Sequence, residues 1–452
     1  MMAHLVASGV AALVIVLLSL ASTSDARSAV RSTAAEGTTT ERESDGYSVL
    51  NVMDYGAVGD GVTDNIDAFQ DALNAAVNGG TVYVPPGQFA FKANTTITVP
   101  RGVSLLGSYR SVPSHAVDGG SKPDVGSVLL PYGGQGSDEG CFLQLSEDST
   151  VSGFTVYYPS QPPDQIPQPY PWTFCLSGNN PTLTDVECLN CWNAIYAVLA
   201  HRHYIARIQG QPINTGIYVD QIYDIGRIED VHWNPWYSGF NKQFMSWQLV
   251  HGRAFVFGRT DWEYVFNTFA FGYAIGYHFI ATDAGGCNGN FLGIGADMMV
   301  NASVQVDQAD PYGILITNGE FTAFVDSSFG IQADSTEVIV GPSNAGSIRF
   351  VNCAFWGPSN QIAKLSGQGT TGFSDCTFNA WDAQKKGNSA IIVDGATGSL
   401  QVRGCDFQQD GNQINLSTTL KKAVITGNIF TGSTRIAGKA RNTQVGLNAD
   451  DG

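Results

Sequence analysis

Positive charge is scarce in this chain: 23 Lys and Arg stand against 40 Asp and Glu in 452 residues, a formal net charge of −17. That balance argues against a nucleic-acid partner, because phosphate binding requires a basic surface. From residue 260 to 348 there is no Lys or Arg at all, against ten acidic residues. Charged residues of both signs make up only 14%, low for a helix-rich protein and natural where strands fill the interior. No Gly-x-Ser-x-Gly elbow and no His-Glu-x-x-His sequence occurs, which removes the serine-hydrolase and zincin readings. Cys188-Leu-Asn-Cys191 has no second Cys-x-x-Cys to complete a zinc site, and is either a disulfide or a pair of thiols. Gly56-Ala-Val-Gly59-Asp-Gly61 lacks the spacing of a dinucleotide-binding loop.

What the chain does have is glycine, 52 residues of it, and a repeat. The pattern is apolar, two variable residues, small or apolar, one variable residue, apolar. Phe350-Val-Asn-Cys353-Ala-Phe355 recurs from Phe373, Val402 and Ile425, at intervals of 23, 29 and 23 residues. Earlier copies begin at Val151, Leu183, Ile205, Ile228, Phe266 and Phe324, with a weaker one at Phe291. A period in the twenties marks a solenoid whose units must stack to bury their apolar faces. Alternation at the last positions is that of a strand, so the expected fold is an all-β parallel β-helix. Cys353, Cys376 and Cys405 share one inward slot. Parallel Cβ vectors disfavour disulfides between them, so three buried thiols are expected.

Leu5 to Leu20 is almost wholly apolar and is followed by small residues, Ser24-Asp25-Ala26. Residues 1–26 therefore read as a signal peptide, with an uncleaved membrane anchor as the alternative. Residues 27–47 are aperiodic and polar and read as a disordered linker. The β-helix is expected over 48–440, with a polar tail over 441–452. Sequons at Asn94, Asn301 and Asn415 agree with a secreted, extracellular or periplasmic protein.

The most specific stretch is Asn51-Val-Met-Asp-Tyr-Gly-Ala-Val-Gly-Asp-Gly-Val-Thr-Asp64, followed by Gly79-Gly-Thr-Val-Tyr-Val-Pro-Pro-Gly87. Between them, Ile66, Phe69, Ala72, Leu73 and Ala76 form one apolar stripe. This predicts a helix over about 64–77, N-capped by Thr63, that closes the end of the solenoid. The stretch resembles the pectate-lyase superfamily, the rhamnogalacturonase- and epimerase-like relatives of family-28 glycoside hydrolases. The resemblance implies a right-handed β-helix with an N-terminal capping α-helix, and a polysaccharide as substrate. It does not fix the reaction. The Asn-Thr-Asp and Gly-His-Gly of polygalacturonases, the Arg-x-Pro-x-x-Arg of pectate lyases and the Lys-Ser-Ser of alginate lyases are all absent, so no catalytic residue carries over.

Strand parity supplies candidates instead. Third and fifth repeat positions face outward together, giving Asp185 with Glu187, Arg207 with Gln209, and Asp230 with His232 on successive rungs. With rungs about 4.8 Å apart, Asp185 and Asp230 stand about 10 Å apart with Arg207 between them. That suits an inverting glycosidase, or β-elimination in which Arg207 neutralises a uronate carboxylate and His232 takes the α-proton. The bland alternative is a solvated strand face whose charges pair across rungs. Five of the seven histidines lie between 201 and 278. Trp233, Trp236 and Tyr237 follow Pro-broken strand, and Arg259-Thr-Asp261-Trp262-Glu263 is a second acidic and aromatic loop. Aromatic rings suit the C–H faces of sugars. Asp185, Arg207, Asp230, His232, Asp261 and Glu263 are thus the catalytic candidates, and Trp233, Trp236, Tyr237 and Trp262 the substrate-binding ones. No loop has the spacing of a defined Ca²⁺ motif; Ca²⁺ is the cation the acidic 260–348 stretch would hold, and no other cofactor is expected. The function these residues favour is an exported glycoside hydrolase or polysaccharide lyase. The alternative is a non-catalytic glycan-binding or structural β-helix, either of them open to forming a homo-oligomer.

Overall fold

A computed structural model describes residues 49–77, 79–108, 123–239, 241–324, 327–331 and 334–452. The expected signal peptide and linker lie outside these residues. Among them, the chain winds into two long parallel sheets, one of 25 strands and one of 13. Each C-terminal coil gives one segment to the smaller sheet and two, separated by a corner, to the larger. This is a parallel β-helix.

One inward row defines the register: Leu183, Ile205, Ile228, Val265, Phe291, Ile316, Phe350, Phe373, Val402 and Ile425 are successive partners. Two expected copies are corrected by it. The copy read from Phe266 starts one residue earlier, at Val265, and Phe266 is 49% exposed on the outer face. The copy read from Phe324 belongs to Ile316, and Phe324 instead packs beside a second helix. A second row, Phe321, Phe355, Phe378, Phe407 and Phe430, is equally in register. Ring centroids along it lie 4.6–5.4 Å apart. Between the rows, the Cys353, Cys376 and Cys405 thiols are buried and unoxidised, each bonded to the carbonyl two residues earlier at 3.3–3.5 Å. Cys188 and Cys191 are also buried thiols. The disulfide lies elsewhere, joining Cys141 to Cys175.

The first helix (α1, Ile66–Ala75) buries Phe69 edge-on against Phe89 and Phe91, at 5.4 and 5.0 Å. Thr63 is not its cap. Asn65 takes that place, but its side chain accepts from the Val58 amide at 2.7 Å and donates to the Thr63 and Ala90 carbonyls. Asp60 accepts from the Val62 and Thr63 amides and the Thr63 hydroxyl, and those bonds hold its carboxyl down to about 2. Any Cβ on Gly59 would meet the Gly87 Cα at 3.1 Å. The stretch that carries the resemblance therefore closes the first coil. A second helix (α2, Lys242–His251), not expected from sequence, buries Phe244, Met245, Gln248 and Leu249. The solenoid also runs past 440, through strands Asn442–Gly446 and Ala449–Asp450.

One corner recurs in every coil from Val151 onward. The residue there steps out of the strand alternation with a left-handed backbone, φ 50–89°. Register places Gly153, Asp185, Arg207, Asp230, Asn267, Gly293, Asn318, Asn352, Asp375, Gly404, Gly427 and Leu447 in this one column. Gly, Asn and Asp are the residues for which this conformation costs least. Ten of these twelve positions hold one of the three; the exceptions are Arg207 and Leu447.

Candidate active site

Five consecutive strands of the larger sheet carry the column through the middle of the molecule: β1 (Thr150–Val156), β2 (Thr182–Cys188), β3 (Tyr204–Gly210), β4 (Arg227–Trp233) and β5 (Glu263–Phe271). Side chains at the corner bond along it. Arg207 donates from Nε and Nη2 to the two oxygens of Asp185, both at 2.7 Å. Asn267 donates to Asp230 Oδ1 at 2.6 Å. The ladder therefore closes between 185 and 207 and between 230 and 267. Between Arg207 and Asp230 it opens, and a cleft of about 340 Å³ lies there, lined by Arg207, Gln209, Asp230, Val231, His232, Asn267 and Phe269.

Two residues past the corner, Glu187, Gln209, His232 and Phe269 form a second row. Glu187 is buried, with the Thr155 hydroxyl 3.3 Å from Oε2. Gln209 keeps a buried Oε1 with no hydrogen-bond donor. His232 meets the edge of Trp236 at 4.7 Å and of Phe269 at 5.1 Å. The cleft thus has a carboxylate and an imidazole two residues apart, a guanidinium on the facing rung, an amide, and an apolar wall. The guanidinium beside Asp185 holds that carboxyl below the ordinary range, and Asp185 raises Arg207 in return. Both are charged throughout the physiological range.

Other expected site residues fall elsewhere. Trp233 is buried in the core beside Phe255, because the strand continues through it and parity turns it inward. Tyr237 is buried too, its hydroxyl donating to the Gln161 carbonyl. Asp261, Trp262 and Glu263 sit at the opposite end of β5 from Phe269, so the Arg259–Glu263 loop is no wall of this cleft. Trp262 is partly exposed, while Glu263 turns inward, where Oε1 meets His203 Nε2 at 2.9 Å with both side chains fully buried. Burial pushes the His203 imidazole down, and the Glu263 carboxylate more than offsets this, leaving it above its ordinary value. Histidine clustering in sequence is likewise not clustering in space. His278 bonds Asp307 in the smaller sheet, His251 lies against Trp247 on α2, and His232 is the one histidine lining the cleft. Asn267 and Phe269 were missed, because starting that copy at Phe266 shifts both off their rows. The recurrence of Asp or Asn in the corner slot was the signal available. Among the described residues, no group of three or more His, Cys, Asp or Glu side chains is placed to hold a metal ion.

Residues 49–190 match the family model for rhamnogalacturonase A/epimerase, pectate lyase-like. Over those residues the chain is similar to the pectate-lyase-like family, and through the described residues its fold is a parallel β-helix. A mannuronan C5-epimerase of Azotobacter vinelandii is 35% identical over 127 residues, 25% of this chain and 14% of that protein. The tail spike protein of Shigella phage Sf6 is 28% identical over 147 residues, 30% of this chain and 22% of that protein. The chain thus aligns with only a small part of these relatives. A mutant tailspike protein of E. coli bacteriophage HK620, solved with a pentasaccharide, superposes with TM-score 0.54 at 10% identity, over 88% of this chain and 78% of that one. That likeness is one of fold. The family match ends at residue 190, before Arg207, Asp230 and His232. The matched region is therefore the cap and first coils rather than the cleft.

Proposed function

We propose that this protein is an exported polysaccharide-modifying enzyme whose acid–base pair is Asp230 and His232. The observation that carries the reading is the composition of the cleft: Asp230 is the one carboxylate among its lining residues, and it stands beside an imidazole. Hydrolysis by two carboxylates loses its partner, since Asp185 is locked to Arg207 and does not line the cleft. A carboxylate–imidazole pair instead suits proton transfer at a carbon beside a carboxyl group. In that step the base removes the C5 proton of a uronate. The C–H electron pair then either forms the C4=C5 bond as the C4–O bond breaks, its oxygen taking a proton from the acid, or takes a proton from the acid at C5 on the face opposite to the one that lost it. The first outcome is elimination and the second epimerisation, the chemistry named for the A. vinelandii relatives. Gln209, Phe269 and Trp236 offer the amide and ring surfaces that hold a sugar.

The test is incubation of the purified protein with acidic and neutral polysaccharides in deuterated water. Three products are followed: unsaturated uronate by absorbance, deuterium at C5 by NMR, and reducing ends. Unsaturation or C5 exchange that is lost in Asp230→Asn is the expected result. Reducing ends without unsaturation mean hydrolysis and overturn the mechanism. Glycan binding with no product in any channel leaves a binding protein.

A further inference from the structure

Three rungs of the larger sheet turn apolar side chains to solvent. The strands after β5 are β6 (Cys287–Leu292) and β7 (Ala309–Thr317). Ahead of the corner, two outward rows cross these strands: Tyr264, Asn290 and Leu315 in one, Phe266, Leu292 and Thr317 in the other. They line a shallow trough of about 390 Å³, and none of its lining residues is charged. Two more rings extend the patch at Asn288. Its side chain accepts from the Trp262 amide at 2.7 Å, and a bulge in β7 sets Asp310–Gly313 against Asn288 alone, which lifts Tyr312 clear of the sheet. Tyr312 is 84% exposed, and Trp262, Tyr264, Phe266, Leu292 and Leu315 are 37–49% exposed. Together the six expose about 500–600 Å², the upper end of what a monomer leaves bare and most of the roughly 800 Å² each partner gives to a standard interface.

Charges at the ends of the two rows select the occupant. On the neighbouring rung, β4 turns Arg227 and Glu229 outward in line with Tyr264 and Phe266. The Tyr204 hydroxyl donates to Glu229 at 3.1 Å, and Arg227 forms no ion pair among the described residues. On the far rung Arg349 continues the first row and Val351 the second. A second copy related by a two-fold axis along the solenoid exchanges the rows. Arg227 of each copy then meets Glu229 of the other, and Tyr264 meets Phe266. A two-fold along the strands instead exchanges the rungs about Asn290 and sets Arg227 against Arg349, like against like. With a net charge of −17, copies of the chain repel over most of their surface. This face carries no charge in its trough and a reciprocal ion pair at its edge.

We propose that this face is the contact between two copies of the chain, packed side by side with their solenoids pointing the same way. A glycan suits it less well, because Tyr264, Asn290 and Thr317 are the only trough residues with polar side-chain atoms for sugar hydroxyls. The pairing does not depend on the cleft being catalytic.

Sedimentation velocity and light scattering of the purified protein over about 1–100 µM read the assembly directly. The expected result is twice the chain mass at the upper concentrations. Phe266→Glu, an exposed position, should keep the wild-type circular dichroism spectrum and weaken self-association about 100-fold or more. Arg227→Glu and Glu229→Arg should each weaken it about 10-fold or more. An equimolar mixture of those two variants should restore the dimer, since every 227–229 contact between them is again Glu against Arg. That mixture decides the matter alone if Phe266→Glu does not fold. Wild-type protein that stays monomeric throughout, an assembly larger than two, a dimer indifferent to Phe266→Glu, or a mixture that remains monomeric overturns the proposal. A monomer whose glycan binding falls in Phe266→Glu overturns it too and gives the face to the glycan.

Discussion

The coils from Phe350 to Ile425 and those from Leu183 to Val265 share one register, yet they spend their residues differently. In the C-terminal set, Phe350 lies on Phe373 at 5.1 Å and 8°, and Phe355 on Phe378 at 5.4 Å and 14°. Three thiols repeat in one slot, and every corner is Asn, Asp or Gly. Nothing there departs from what stacking asks. The middle set places Arg at a corner, His and Trp beside it, and a buried His203–Glu263 pair between coils. Regularity marks the part that holds the solenoid together. Among the departures, Arg207 and His232 line the cleft proposed as the glycan site, which agrees with local rules yielding at functional sites.

The contrast breaks most visibly if chemistry fails to follow the irregular coils. Asp230→Asn should lower kcat by about 10²- to 10⁴-fold with KM little changed, seen in initial rates on whichever polysaccharide is turned over. In the regular coils Phe373→Ala should cost about 3–5 kcal/mol in denaturant unfolding and leave kcat of the folded fraction intact. Lost activity without lost stability there would contradict the division. Trp236→Ala should raise KM about two- to tenfold, the scale of one aromatic contact, with kcat preserved.

A finer test concerns the buried pair. The folded His203 imidazole titrates above its unfolded value of 6.5. Its contribution is therefore fully present below about pH 6.5 and is lost as pH rises through the folded value. Urea midpoints should fall across that window in the wild type, and Glu263→Gln should flatten the profile while leaving catalysis unchanged. The smallest effect is none at all: Cys353, Cys376 and Cys405 should stay unreactive to thiol reagents in the native protein. Rapid labelling of all three would deny the interior ladder.

The solenoid was legible because its units repeat and because inward positions must be apolar. Phe350, Phe373, Val402 and Ile425 therefore declared both the period and the row. The Asp185–Arg207–Asp230 column was legible as a register, since equal offsets from three apolar starts fall on neighbouring rungs. Two things were hidden. Phe266, Phe269 and Phe271 fit the repeat one residue late, which puts Phe266 on the wrong face, and Pro235 makes Trp233 read as a loop residue although the strand runs through it. Pairing between distant segments is also unmarked in sequence. Glu263 reads as an exposed loop acid until His203, 60 residues earlier, is brought against it.

The Cys141–Cys175 bond joins neighbouring rungs of the smaller sheet, 34 residues apart in sequence. In a solenoid each turn touches only its neighbours, so a pull on one end can peel it turn by turn. Here the peel meets a covalent rivet. Drawn from its N-terminal side in an optical trap, the oxidised protein should withhold a slack of about 110–120 Å, the reach of the bridged segment. Added reductant should return that missing length as a single step in the force–extension trace.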